Sequence, residues 1–351
     1  MTPTVLTERP TALLTAPPED ATRREFISGV GAAALAAAFL AACGGDDADA
    51  DAGSGTWTYE SEFGPVELPR TIERIVSIDY YSPTALVDIG MLPVTVVSAY
   101  LSDPDGGAFP AGYQQAIIDS GAISIGEYWG EFDVEAILAA EPDLIIATSD
   151  FLPFDSPLRE QMEQIAPIVT FTARRAGSWL TRSDGIAEIL GREDELDGLR
   201  SEYEQYRDDL RERYADVLDR FTFAVFSPQD DNWGVYARDH FSVGVLQDLG
   251  AHFIDEDTPE LGLDEDGYPT WLPYEQIRLL NDADIILRHP NTDEVFAALQ
   301  DNPLWETLPA VQQGRVFTYI KFDATSSYGW AIQNLRDLDQ LFAEIQTQVD
   351  S

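Results

Sequence analysis

Residues 196–217 read LDGLRSEYEQYRDDLRERYADV, and their apolar side chains recur at intervals of three and four positions. The recurring residues are Leu196, Leu199, Tyr203, Tyr206, Leu210, Tyr214 and Val217. This spacing predicts one amphipathic helix of roughly 25 residues and about 38 Å. Oppositely charged pairs four positions apart, such as Asp209 and Arg213, would cover its outer face. A coiled coil has a similar spacing, but three to four heptads lying between β/α segments favour a connecting helix.

The segments before this helix alternate between short β-type runs and helical patterns. The predicted strands cover residues 74–78, 93–97, 144–147 and 168–171. The predicted helices cover residues 82–89, 134–140 and 158–165. Gly90 ends the first of these helices, and the strand at 144–147 is continuously apolar, as strands of buried parallel sheets are. Together the patterns predict a β/α lobe.

The same alternation resumes after the long helix. Predicted strands cover residues 222–226, 284–287 and 315–319, and predicted helices cover residues 243–249, 274–280 and 328–347. We therefore predict an α/β fold in which two β/α lobes with mostly parallel sheets are bridged by one long α-helix, with a ligand cleft between the lobes. The predicted bounds are 57–177 for the first lobe, 178–220 for the bridge and 221–351 for the second lobe.

A signal-like segment precedes the lobes. Arg23 and Arg24 are followed by an apolar run at 30–42 and by Cys43, the chain's single cysteine. The run is shorter than the ~20 residues that a membrane-spanning helix needs, so residues 1–42 resemble a twin-arginine lipoprotein signal peptide with lipid attached at Cys43. A buried alanine-rich helix with an incidental cysteine is the alternative. Residues 43–56 are predicted to be an acidic flexible tether. Together, the signal, the lipid on Cys43 and the tether predict a protein outside the cytoplasm, lipid-anchored to the outer face of the cell membrane.

The charge balance excludes one class of partner. Lys and Arg number 21 against 63 Asp and Glu, a net charge of −42, whereas nucleic-acid binding requires clusters of basic residues. Lys321 is the one lysine. Two alternatives would explain this composition: adaptation to a salty habitat, where self-repulsion is screened, or a codon bias of a GC-rich genome toward arginine and aspartate.

Enzyme signatures are missing from the sequence. It contains no Gly-x-Ser-x-Gly elbow and no glycine loop of the P-loop or dinucleotide type. His240, His252 and His289 are too far apart in sequence to suggest a zinc site. We therefore predict that the protein is not an enzyme. A surface sensor or adhesin without a transport role is the alternative of another class.

The order of signal, lobe, long helix and lobe resembles the substrate-binding lipoproteins of ABC importers for ferric siderophores, haem and vitamin B12. The resemblance covers residues 57–350 and is carried by residues 74–77, the Ser82-Pro83 turn, residues 135–146, the long helix and residues 275–286. It implies a monomer that captures a ferric siderophore and delivers it to an importer permease and its ATPase. Neither an intrinsic cofactor nor a direct metal ligand is implied. Haem or a corrinoid is the alternative ligand, and His240 and His289 would then be candidates to ligate haem iron.

The same resemblance gives a role to Glu135 and Glu275, one in each lobe. In this family, glutamates at these positions dock onto arginines of the permease, since guanidinium groups bind carboxylates in a bidentate manner. Acidic residues are also favoured at helix N-termini by the macrodipole, whatever their function.

Candidate ligand contacts lie in loops that follow predicted strands, where open α/β sheets bind ligands. In the first lobe they are Tyr80, Tyr81, Tyr100, Trp129 and Phe151, and in the second Trp233, Tyr236, Arg238, Arg288, Lys321 and Phe322. Aromatic walls suit an organic chelate, and cations suit negative charge at its iron centre. Arg174 and Arg175 could also face the cleft mouth. For each residue, ordinary packing or a solvated surface position is the alternative.

Overall fold

A computed structural model describes residues 55–97, 101, 112–126, 132–265, 267–288, 293–300, 302–319 and 325–350. The predicted export signal with Arg23 and Arg24, and the predicted lipidation site Cys43, lie outside these residues. Among the helices that the structure describes, none combines the length and apolar character needed to cross a membrane.

An antiparallel hairpin precedes the first lobe and was not predicted. Strands β1 (Thr56–Ser61) and β2 (Gly64–Pro69) pair along their whole length. Gly64 has a φ of 113° in the turn, a conformation that side chains rarely adopt. Tyr59 and Leu68 attach the hairpin to the main hydrophobic core, because both side chains are buried in it.

The first lobe contains a parallel sheet of five strands in the order β5-β4-β3-β6-β7. Its strands are β3 (Ile75–Ser77), β4 (Thr95–Val96), β5 (Ile123–Ser124), β6 (Leu144–Thr148) and β7 (Ile168–Phe171). Its helices are α1 (Ser82–Asp88), α2 (Tyr113–Asp119), α3 (Val134–Ala139) and α4 (Pro157–Met162). Every residue of β6 is buried, as the continuous apolar run at 144–147 predicted, and every residue of β7 is buried as well.

Helix α1 starts and ends as its sequence predicts. The buried carboxylate of Asp79 accepts hydrogen bonds from the backbone N–H groups of Tyr81 and Ser82, at 2.7 and 2.6 Å. These two donors have no partner within the helix, so Asp79 satisfies them. Gly90, with a φ of 71°, follows the last turn.

Three helices connect the lobes: α5 (Ser178–Leu190), α6 (Glu193–Arg213) and α7 (Ala215–Arg220). The predicted face of α6 is correct, since Leu196, Tyr203 and Leu210 are buried. Its predicted length is wrong, because α6 has 21 residues and does not reach Val217, which makes it about 32 Å long. The helix breaks at Tyr214, whose hydroxyl donates to the Asp339 carboxylate at 2.7 Å and whose backbone leaves the helical region.

The second lobe contains a mixed sheet in the order β11-β9-β8-β12-β13, with β10 paired to β8. Its strands are β8 (Thr222–Pro228), β9 (Asn232–Val235), β10 (His252–Phe253), β11 (Leu272–Pro273), β12 (Ile285–Arg288) and β13 (Val316–Thr318). Its α-helices are α8 (Gly244–Asp248), α9 (Asp293–Gln300), α10 (Pro309–Gln312) and α11 (Tyr328–Val349). Its 3₁₀ helices are Phe241–Val243, Ile254–Glu256, Pro259–Leu261, Tyr274–Asp282 and Trp305–Thr307. Strand β9 is antiparallel to β8, whereas β10, β12 and β13 continue the parallel order.

One hydrophobic cluster joins both lobes through the helices. It includes Leu144 of β6, Phe223 of β8, Leu210 of α6 and Leu338 of α11, all with no exposed surface. The described residues between 55 and 350 accordingly belong to one compact unit. The predicted α/β class, with two lobes bridged by a long helix, is confirmed.

Candidate functional site

A cavity of about 800 Å³ opens between the two lobes. Its first-lobe wall follows the carboxyl ends of the neighbouring parallel strands β6 and β7, with Ser149, Asp150 and Thr172 among its lining residues. Its second-lobe wall is formed by Asp239 and by the loop at 263–268. This is the position where open α/β sheets bind ligands, and the volume suits an organic molecule.

An ion pair stands on the first-lobe wall. Asp150 follows β6 and Arg174 follows β7, and the Arg174 Nε lies 3.4 Å from the Asp150 Oδ2. The Asp150 side chain is 6 % exposed and that of Arg174 is 19 % exposed. Because a buried carboxylate needs a partner, Asp150 holds the Arg174 guanidinium at this edge of the sheet.

The second-lobe loop is closed on itself. Leu263 and Pro269 form an antiparallel bridge, and the N–H groups of Asp264 and Tyr268 donate to the Tyr268 carbonyl and the Asp264 Oδ1, both at 2.8 Å. Gly267 has a φ of 81°, which an L side chain would strain. These bonds fix the loop and present Glu265 and Tyr268 to the cavity.

Two contacts cross the cleft beside the cavity. The Arg174 guanidinium carbon lies 4.2 Å from the centroid of the Tyr268 ring, within cation–π distance. The Ala176 N–H donates to the Asp239 carbonyl at 2.9 Å. Arg174 is therefore held by an acid of its own lobe and by an aromatic ring of the other.

An aromatic cluster includes two residues close in sequence to the lining, since Phe151 follows Asp150 and Phe241 comes two positions after Asp239. Tyr81 makes edge contacts with Phe151 at 6.1 Å and with Phe241 at 5.9 Å between ring centroids. Tyr80 contacts Tyr81 at 5.8 Å and is half-buried. The Arg182 guanidinium, buried in α5, lies 5.2 Å from the Tyr81 ring centroid. Tyr81 and Phe151 are buried, so they support the cleft from beneath.

His240 belongs to the same region but is 2 % exposed. Burial, reinforced by the positive charge of Arg174, lowers the pKa of His240 to about 3. The imidazole is therefore neutral near pH ~7. Its Nδ1 accepts a hydrogen bond from the Ser242 N–H at 3.2 Å, and its ring stacks on Phe241. A buried ring with this bonding is not presented to haem iron, and His289 lies outside the described residues.

Several predicted ligand contacts do not line this cavity. Trp233 is fully buried, packs on Phe226 and donates its indole N–H to the Pro273 carbonyl, so its ring is unavailable to a ligand. Tyr236 is half-buried, 4.6 Å from the His240 ring. Tyr100, Trp129, Lys321 and Phe322 lie outside the described residues.

The two predicted second-lobe arginines that the structure describes also lie off the lining. Arg238 is exposed, and its backbone N–H donates to Asp255 at 3.1 Å. Arg288 ends β12 with its guanidinium carbon 4.7 Å from the centroid of the Phe296 ring. The described lining instead contains Arg174 and its neighbour Arg175, which stand at the cavity as their sequence position suggested.

Glu135 and Glu275 are exposed, and each begins a helix at the carboxyl edge of its own sheet. Helix α3 starts at Asp133, whose N–H donates to the carbonyl of Ile125, the residue just past β5. The 3₁₀ helix containing Glu275 starts where the Tyr274 hydroxyl donates to the carbonyl of Gln229, just past β8. Both carboxylates thus lie at the sheet edges that border the cleft.

The acidic loop of the second lobe was missed at the sequence level. The loop that contains Asp264, Glu265 and Tyr268 has neither strand nor helix periodicity. Asp239 lies between Arg238, a predicted ligand contact, and His240, a candidate haem ligand. The sequence does carry a signal for this loop: acidic residues before Gly267, with Pro269 two positions after it, are typical of a tight turn. Within the described part of the chain, no group of three or more His, Cys, Asp or Glu side chains is arranged to hold a metal ion.

Comparison with known proteins identifies related chains. The sequence profile of the periplasmic binding protein family matches residues 90–321. The Fe(3+) dicitrate-binding periplasmic protein FecB of Escherichia coli K12 is 24 % identical over 269 residues, covering 74 % of this chain and 80 % of FecB. The probable siderophore-binding lipoprotein YfiY of Bacillus subtilis is 25 % identical over 183 residues, or 52 % of this chain and 53 % of YfiY. The structure of Staphylococcus aureus SirA with staphyloferrin B superposes with a TM-score of 0.66 at 21 % identity, covering 81 % of this chain and 98 % of SirA.

Proposed function

The chain belongs to the periplasmic binding protein family, and we propose that it captures a ferric siderophore outside the cytoplasm and delivers it to an ABC importer. FecB and YfiY, whose names state a ferric chelate and a siderophore, are the relatives that support this ligand class. The observation that carries the proposal is the cavity at the carboxyl ends of β6 and β7, closed from the other side by the second lobe. Iron enters as part of the chelate, and the protein recognises the organic shell.

A fluorescence titration tests the ligand class, because the chain has seven tryptophans. Ferric hydroxamates, catecholates and carboxylate chelates are added to the purified protein, each beside its iron-free form. We expect saturable quenching by at least one ferric siderophore. Haem and cobalamin are added in parallel, and haem bound in the cleft would produce an intense Soret band. Saturation by haem or cobalamin, without any by a ferric siderophore, would contradict the proposal.

Importer docking is assigned to Glu135 and Glu275. Their exposed positions at the cleft-side edges of the two sheets support a permease surface that contacts both lobes at once. Carboxylates so placed suit arginine forks of the permease. The pair would give the permease one charged contact on each lobe. The strength of docking would then depend on the distance between the two lobes.

The double variant Glu135→Ala with Glu275→Ala should keep its ligand affinity and lose most uptake, since truncating a buried charged contact costs about 2–5 kcal/mol. Glu160→Ala is the matched control, because Glu160 is also an exposed acid in the first turn of a first-lobe helix. Equal loss of soluble ligand binding and of uptake would contradict the docking role.

We assign membrane attachment to a lipid on Cys43 and export to the Arg23-Arg24 pair. The relative YfiY, named as a lipoprotein, supports the anchor. Cys43→Ser should leave the protein poorly retained by membranes, and Arg23→Lys with Arg24→Lys should block its export. A Cys43→Ser protein that fractionates with membranes as the parent does would exclude the anchor.

A further inference from the structure

The cleft wall carries more negative than positive charge, and this bears on which siderophore it accepts. The described lining contains four carboxylates, those of Asp150, Asp239, Asp264 and Glu265, and the two guanidiniums of Arg174 and Arg175, hence a formal charge of −2. The cavity lies in a chain whose net charge is −42. The inference from this charge rests on the proposed function.

The positive charge of Arg174 is already engaged by the protein. Its Nε pairs with Asp150 at 3.4 Å, and its planar face lies on the Tyr268 ring at 4.2 Å. A ligand anion would have to compete with a carboxylate that is itself nearly buried and that would lose its partner. Arg174 therefore connects the two lobes, and its charge is poorly placed to bind an anionic ligand.

The second-lobe wall, by contrast, presents acidic side chains. Asp239 and Glu265 are exposed and line the cavity. The Asp239 backbone, not its carboxylate, makes the contact with Ala176. Charges on the wall act on a bound ligand from within the Debye length of about 8 Å, whereas most of the protein's other acids are screened. A positive group on the ligand would be attracted to this wall, and a negative group would be repelled.

We propose that the cleft selects ferric siderophores whose outer surface carries a positive charge or none, and that it disfavours polyanionic ferric chelates. The positively charged arm of the ligand faces Asp239 and Glu265. This selectivity differs from what the name of FecB states for its own ligand, a ferric citrate.

A matched ligand series isolates the effect of charge. Ferrioxamine B is a linear ferric trihydroxamate whose free terminal amine is positively charged. Acetylation of that amine removes the charge, and succinylation replaces it with a negative one, while the iron centre stays the same. The dissociation constant of the purified full-length protein should rise by about threefold or more at each step. The differences should shrink in ~1 M salt, where the Debye length is about 3 Å.

Two wall variants tie the preference to this cavity. Asp239→Asn and Glu265→Gln should each reduce the ratio between the dissociation constants of the acetylated form and of ferrioxamine B. Glu344→Gln is the matched control, since it removes one exposed acid from α11, away from the lining. It should leave the preference unchanged. The placement of the charged arm would be wrong if both wall variants still preferred ferrioxamine B over its acetylated form as strongly as the parent does. It would also be wrong if Glu344→Gln reduced this preference as much as the wall variants do.

The outcomes also separate this inference from the proposed function. If the succinylated form binds as tightly as ferrioxamine B, or if ferric dicitrate or a ferric tricatecholate binds more tightly than all three trihydroxamates, the selectivity is wrong and siderophore capture stands. If no ferric chelate of any charge binds, both are wrong.

Discussion

The lobes are joined on two sides, and the two sides are held in different ways. On the helical side, α11 packs against both α6 and α1, and a single hydrophobic cluster continues from one lobe into the other. On the cleft side, the described contacts are fewer: the Arg174 guanidinium on the Tyr268 ring, one backbone bond from Ala176 to Asp239, and the edge contact between the Tyr81 and Phe241 rings. The helices therefore carry most of the stability, while the cleft loops can adjust to a ligand.

Polar contacts on the helical side reinforce its core. Asp339 of α11 accepts bonds from the Tyr214 hydroxyl at 2.7 Å and the Arg213 guanidinium at 2.8 Å, and from Tyr206 at 3.2 Å. Partial burial of Asp339 works against its charge, but these donors outweigh burial and hold its pKa below the usual value. Tyr203 likewise donates to Asp248 of α8 at 2.6 Å. One face of α6 thus binds two other helices through both apolar and hydrogen-bonded contacts.

The largest effect is expected from a cavity on the helical side. Leu210 is fully buried in the cluster that joins the lobes, so Leu210→Ala should lower the free energy of unfolding by about 2–5 kcal/mol. Glu204→Ala, an exposed position on the same helix, should change it by less than about 0.5 kcal/mol. Urea denaturation followed by circular dichroism measures both. If Leu210→Ala and Glu204→Ala lowered the free energy of unfolding equally, α6 would not contribute to the hydrophobic cluster that joins the lobes.

Acid should weaken the cleft region through His240. Below about pH 6.5 the unfolded chain binds a proton at this residue, whereas the folded protein, with a pKa of about 3, does not. Stability is therefore lost as the pH falls. Between about pH 7.5 and 4.5, His240→Asn should lose roughly 2–3 kcal/mol less than the parent.

The asparagine side chain keeps an acceptor for the Ser242 N–H, so the variant isolates the titration of His240 from the loss of its hydrogen bond. Urea unfolding at a series of pH values measures the difference. Parallel pH profiles for the parent and the variant would contradict this assignment.

The Asp339 contacts should have a smaller effect. Asp339→Asn removes the charge that Tyr214 and Arg213 bind, and should cost about 1–1.5 kcal/mol at neutral pH, because the site is partly exposed. The contribution is present above the unfolded pKa and is lost as the pH falls through the lowered folded pKa, so parent and variant should converge in strong acid. Asp208→Asn, in an exposed pair with Arg207, is the control and should cost almost nothing.

The smallest stability effect is expected on the cleft side. Tyr268 is 40 % exposed, so Tyr268→Ala should change the free energy of unfolding by less than about 0.5 kcal/mol. The same change should weaken siderophore binding about fivefold, because the ring both lines the cavity and holds Arg174. Trp271→Ala removes another exposed aromatic outside the lining and should leave binding intact. If Tyr268→Ala lowered the free energy of unfolding but left siderophore affinity unchanged, the cleft side would contribute to stability rather than to binding.

Sequence periodicity predicted the helical side well and the cleft side poorly. Burial of one face of α6 follows from spacing alone, since Leu196, Tyr203 and Leu210 repeat at helical intervals. The break at Tyr214 does not follow from the spacing, which continues to Val217, and the hydrogen-bond partner of Tyr214, Asp339, lies 125 positions away in the chain. Local patterns contain no information about such a partner.

The cleft depends on pairings that local patterns do not reveal. Trp233 follows a strand and so was predicted to meet a ligand, but β9 folds back antiparallel on β8 and buries it. The loop at 263–268 has no period to detect, and its position over Arg174 follows from tertiary packing. The tendency of open α/β sheets to bind ligands at the carboxyl ends of their strands predicted the position of the cavity. The residues of its second-lobe wall can be identified only from the three-dimensional fold.

Helix α11 also sets the order in which the molecule can be completed. Its first turn reaches back to the first lobe, where the Gly329 N–H donates to Asp88 at 3.0 Å across 241 positions of sequence. A side chain at Gly329 would collide with Tyr113 and Asp88, so this approach requires glycine. The core that joins the lobes cannot be completed until α11 has been synthesised, because α11 follows all the described strands in the chain and contributes to that core. Until then, the unfinished core exposes apolar surface, which favours aggregation.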